Sequence, residues 1–122
     1  MTISAIAFAK SLVQPEYDHP RVERLVSGNP LRTTRNHYTN SSGEVFAGIW
    51  ESEVGSWRIE MGEREDEFFF VTQGRCRLID DAGVAVEIGA GESLVIPAGF
   101  KGIFEVVAAM QKHYMIVERK AL

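Results

Sequence analysis

The chain has 122 residues, 45% of them hydrophobic and 25% charged, an ordinary balance for one globular domain with its own core. A net charge of −4 and a pI of about 5.4 argue against nucleic acid or an anionic membrane surface as partner, and no apolar run approaches the roughly 20 residues that span a bilayer. A lone cysteine, Cys76, excludes an internal disulfide and a Cys₂His₂ zinc site, and favours a reducing, cytoplasmic setting.

Residues 1–40 read as an N-terminal arm and residues 41–122 as the domain proper. The opening "MTISAIAFAKSLV" lacks a basic flank and an A-x-A-like cleavage site, so it reads as mature protein rather than a signal peptide. The stretch that follows, up to Asn40, carries three of the four prolines and two of the three histidines without a sustained period. It predicts an extended segment with one short helical turn around Arg21–Val26, packed against the sheet or a neighbour.

After residue 44 the pattern turns to short strands. "VFAGIWESE", "SWRIEM", "DEFFFVTQ", "RCRLI", "VAVEI", "SLVIP", "GIFEVV" and "HYMIVE" follow one another, separated by Gly, Asp and Pro. Between the fourth and fifth, "DDAG" predicts a hairpin turn. Such spacing predicts an all-β sandwich or barrel, and no 3.6-residue apolar stripe competes with it.

Alternation along "EFFFVTQ" puts Glu67, Phe69 and Val71 on one face and Phe68, Phe70 and Thr72 on the other. Aromatics on both faces predict a barrel wall whose outer side is covered as well, and hence a homodimer. A carboxylate on the inward face needs a cation or several donors to stay charged away from water. Among Lys112, Arg77 and Arg58, the first is best placed, because alternation sets it with Tyr114 and Ile116 on one face of the last strand.

Two segments resemble the motifs of the cupin superfamily, small double-stranded β-helix (jelly-roll) barrels. Glu67, six residues and Gly74 match the end of the first motif, and Gly91, "ESLVI" and Pro97-Ala98-Gly99 match the start of the second. The order "GIWE…GSWRI…DEFFFVTQG…IPAGFKGIFEVV…KHYMIVE", over Leu31 to Glu118, is similar to the ureidoglycine-aminohydrolase-like cupin family. That resemblance implies amine, amide or ureide chemistry at a metal held by imidazoles. Here, however, the H-x-H positions fall on Met61 and Glu63, and the second motif's histidine position falls on Gly102. Only Glu63 and Glu67 remain as metal ligands, so no cofactor is expected, with a divalent ion on these two carboxylates as the alternative.

The residues then point to a pocket for a small-molecule ligand. Glu67 serves as acid/base or anchor, with Lys112 and Tyr114 orienting the ligand. Trp50, Trp57, Met61, Phe69 and Phe104 supply the walls. The alignment turns Cys76 and Leu78 inward too, and Gly102 leaves space beside Trp57 and Phe104. Cys76 has no histidine to activate it and reads as a small buried residue rather than a nucleophile. The alternative is a non-catalytic sensor or interaction module that uses the barrel as a dimerisation scaffold.

Overall fold

The computed structural model describes residues 1–121. Nine strands form among them: β1 (Glu16–Asp18), β2 (Leu25–Ser27), β3 (Arg32–Thr39), β4 (Val45–Ser52), β5 (Gly55–Glu60), β6 (Glu65–Asp80), β7 (Ala85–Gly89), β8 (Ser93–Ile96) and β9 (Lys101–Glu118). The described residues contain no α-helix, only 3₁₀ turns at Phe8–Lys10 and Val22–Arg24. The architecture is the all-β curled sheet expected from the strand pattern.

Two long strands organise it. β6 and β9 pair antiparallel along almost their whole lengths, from Glu65↔Glu118 to Asp80↔Gly102. In the first half, β9 also pairs with β4 (Trp50↔Lys112) and β6 with β8 (Phe69↔Leu94). In the second half, β9 pairs with β5 (Trp57↔Phe104) and β6 with β7 (Cys76↔Ile88). β3 and β1 extend the first half, and β2 extends the second. The halves meet across the interior, where Phe104 lies 5.6 Å from Trp50 and 6.2 Å from Phe69, ring centre to ring centre.

The fold between the halves lies in a run of bulges from Val71 to Cys76. A bulge adds a residue to one strand, bends it and shifts which residues face inward. Accordingly Glu67, Phe69 and Val71 point inward before the bend, and Cys76 and Leu78 after it. Gly74, at φ +80°, sits at the turn with its α-carbon against the Ala108 and Ala109 carbonyls, where a side chain has no room. The sequence reading divided β6 and β9 into two strands each. The structure joins them, because the bulged ladder carries the chain through the bend without a loop.

The segment read as an arm contributes three strands. β3 pairs with β4 over Arg32↔Ser52 to Thr39↔Phe46 and forms one wall of the barrel. Further out, Phe8 stacks on His37 at 4.7 Å and leans on His113 at 5.8 Å, covering part of the outer side of the first half. The "DDAG" hairpin forms as expected, with the Asp80 carboxylate accepting from the Ala82 and Val84 amides.

Candidate functional site

Beneath the β3–β4 wall lies a cavity of about 360 Å³ that opens to solvent. Its sides are mostly apolar, with Trp50, Trp57, Ile59, Met61 and Phe104 forming one flank and Phe46, Ile96 and Ile116 the other. Trp57 stacks on Phe104 at 5.2 Å and Trp50 meets Phe104 edge-on. Such offset and edge contacts are the preferred aromatic geometries and hold the flank rigid.

The floor is charged. Lys112 is only 5% exposed, and its Nζ donates to Glu67 Oε2 at 2.7 Å. The same ammonium lies 4.2 Å from the Phe69 ring centre, 4.5 Å from Trp50 and 5.0 Å from Phe104. Ring faces carry negative quadrupole density, so three of them and one carboxylate together replace the water that the ammonium has lost. Glu67 is therefore neutralised by Lys112, as strand alternation predicted. Arg77 instead pairs with Glu87 and Glu105, and Arg58 with Asp81.

Beside this pair the Tyr114 hydroxyl donates to Asn36 Oδ1 at 2.8 Å. Burial first, then the negative charges of Glu67 and Glu16, push the phenol up to about 12, so it stays protonated at neutral pH. Asn36 is held in turn by its amide, which donates to the Tyr38 carbonyl and Thr39 Oγ1. Arg32, on the same face of β3, lies over the Trp57 ring at 5.2 Å. Its Nε and Nη2 are taken up by Asp18 at 2.9 and 2.7 Å, which leaves Nη1 without a hydrogen-bond partner among the described residues.

The structure brings together Glu67, Lys112, Tyr114, Trp50, Trp57, Met61 and Phe104 around one cavity. Phe69 is fully buried and packs under the Lys112 ammonium instead of lining the space. Cys76 and Leu78 point inward but belong to the packed core of the second half. Burial raises the Cys76 thiol to about 11, so it is not a thiolate at neutral pH.

The expectation for Gly102 is corrected as well. Gly102 opens no space for a ligand, because the Ile79 backbone of β6 occupies the position a side chain would take. It is a close-approach glycine. The acidic residues Glu63, Glu65 and Asp66 have different surroundings. Glu63 is exposed and stands apart from the cavity lining, but Glu65 accepts from the Gly62 amide, and Asp66 binds Arg119 and the Ala98 amide.

Sequence reasoning missed Arg32, Thr34 and Asn36. The run "RTTRNHYT" is polar on both faces, so hydrophobic alternation cannot reveal it as a strand. Its one signal was a pair of β-branched threonines at strand length.

The donor set does not fit the transition ion that the cupin resemblance implies. The cavity lining holds a single carboxylate and no imidazole, and Glu67 is already bound to an ammonium. No group of three or more His, Cys, Asp or Glu residues able to hold a metal occurs among the described residues. Nor does any helix among them have the length and apolarity to cross a membrane.

Comparison with known proteins agrees with this architecture. Among functionally curated proteins none matches the chain. The solved EutQ protein of Clostridium difficile is 26% identical, covering 78% of this chain and 75% of its own, with a TM-score of 0.65. A putative ethanolamine utilization protein (EutQ) from Salmonella typhimurium is 15% identical over 89% of this chain and 99% of its own, also at 0.65. A protein of unknown function from Pseudomonas syringae gives 0.75 at 18% identity, over 88% of this chain but only 45% of its own length. Residues 39–114, more than half of the chain, match the EutQ-like cupin domain, so this chain belongs to the EutQ-like cupin domain family.

Proposed function

We propose that the chain binds a small organic molecule inside its barrel, at a metal-free site in which the Lys112 ammonium stands as the cation facing Glu67. The observation that carries this reading is the buried 2.7 Å ion pair, boxed by aromatic rings, at the floor of a 360 Å³ cavity. Cavities of this size and apolar lining with a few convergent polar groups are the usual form of small-molecule sites. Glu67 Oε1 has no hydrogen-bond partner among the described residues, Tyr114 is a protonated hydroxyl, and the Lys112 ammonium donates to Glu67 Oε2. Together they supply what proton transfer to or from a bound organic substrate needs, without a Lewis acid.

Both tryptophans of the chain line the cavity, so any occupant changes the intrinsic fluorescence. Titration with a panel of small acids, amides, amines and neutral compounds should give at least one saturable response. Protein purified without chelator should hold less than about a tenth of an equivalent of Mn, Fe, Ni or Zn. A silent panel removes the binding reading, and more than half an equivalent of metal removes the metal-free one.

A second reading rests on the outer face of the first half. Phe68, Val95 and Met115 are cross-strand neighbours there, and with Phe70 they are 39–58% exposed. A second copy of this chain covering that face makes the barrel a dimerisation scaffold. Light scattering should then report a dimer that Phe68→Asp converts to monomer. A monomeric wild type at about 100 µM, weaker than a typical micromolar association, ends that reading.

A further inference from the structure

We infer that the ligand is a small organic anion, with an apolar body in the barrel cavity and an oxyanion head, carboxylate or phosphate, in an arginine-lined groove at its mouth. This rests on the reading of the cavity as a binding site and adds the ligand's charge and orientation.

A groove of about 340 Å³ adjoins the cavity and shares Arg32, Trp57, Ile59 and Met61 with it. The two are therefore neighbours across these four side chains, one lined mainly by apolar groups and the other by charged ones. Arg21, Arg24 and Arg58 join Arg32 in the groove, against Glu60 and Glu65. The whole chain carries a net charge of −4, so a local excess of cations runs against its general trend.

Part of this charge is already met, Arg32 by Asp18 and Arg58 by Asp81 and Glu60, and Glu65 accepts from a backbone amide. Arg21 and Arg24 have no ion pair or side-chain hydrogen bond among the described residues, and Arg32 Nη1 is likewise open. Guanidinium forks suit the planar or tetrahedral oxygens of carboxylate and phosphate, and a groove of low-dielectric walls strengthens the attraction.

An amine meets the opposite arrangement. The aromatic box that would receive an ammonium already contains Lys112, and the cavity's one carboxylate is bound to it. A cationic ligand must displace that ammonium or sit beside it, and either way two like charges share a desolvated space. The arginines at the mouth repel it as well.

Four probes with nearly the same apolar body test this on the full chain by tryptophan fluorescence: phenylacetate, benzyl phosphate, phenylacetamide and phenethylamine. At least one anion should bind about tenfold or more tightly than the amide and the amine. The tighter of the two identifies the head group. Its affinity should fall as salt rises from 20 to 300 mM, and by about tenfold in Arg24→Gln, with the melting temperature unchanged. Arg75→Gln, on the outer face beside β7 and in neither the cavity nor the groove lining, serves as the control and leaves it unchanged.

An amide or amine that binds as tightly as the anions overturns this inference and leaves the cavity reading standing. An anion affinity indifferent to both salt and Arg24→Gln overturns it too. If neither the four probes nor the wider panel perturbs the tryptophans, both readings fall together.

Discussion

The two halves of the barrel are built from the same pair of strands, yet they distribute polarity in opposite ways. In the second half, Cys76, Leu78, Ile88 and Val106 fill the interior, while ion pairs such as Arg75–Glu87, Arg77–Glu105 and Arg58–Asp81 cross the outside. That is the ordinary arrangement of a soluble sheet. In the first half, Glu67, Lys112 and Tyr114 point inward, and Phe68, Phe70 and Met115 point outward. Burying an ion pair costs desolvation energy and exposing aromatics forgoes hydrophobic stabilisation, so neither is favoured by folding alone. On the reading proposed above, the second half chiefly supplies stability, while the first supplies the buried charged pair inside and the contact face outside.

Removing one member of the buried pair should have the largest effect, since it leaves the other charge uncompensated. Lys112→Met or Glu67→Gln should each cost about 3–5 kcal/mol in urea unfolding. The double variant should cost clearly less than the sum of the two. Leu78→Ala in the dry half should cost about 2–5 kcal/mol through its cavity, yet leave tryptophan-detected binding intact. Additive pair variants, or a Leu78→Ala protein that folds but no longer binds, would break the division of labour.

Tyr114→Phe should act more gently, losing about 1 kcal/mol with its bond to Asn36. It carries a pH signature as well. The phenol is raised in the folded state to about 12 from an ordinary value near 10, and an unfolded chain releases that proton first. Stability is therefore level below pH 10 and falls as pH rises from 10 towards 12, and Tyr114→Phe should flatten that limb. Equal alkaline slopes in both proteins would show that the hydroxyl is not buried beside Glu67.

Much of this contrast was readable in the residues themselves. Period-two alternation sets side chains on opposite faces whatever the tertiary context, so "EFFFVTQ" and "KHYMIVE" already revealed an inward Glu67, an inward Lys112 and an outward Phe68/Phe70 pair. The glycine and proline spacing gave the strands and the cupin resemblance. Gly102 was misread because a sequence shows a missing side chain but not the backbone that fills its place. β3 was absorbed into an arm because its residues are polar on both faces, and only its partner β4 makes it a strand.

The sequence by itself therefore determined the fold class, the facing of each strong strand and the identity of the charged pair, because those follow from local geometry. Only the tertiary structure decided where the halves fold over each other, through the bulges around Gly74, and which residues of distant strands share one space. Arg32, Thr34 and Asn36 line the cavity by way of β3, and Arg21 and Arg24 line the neighbouring groove beside β5. Such meetings join residues far apart in the chain, and no local period records them.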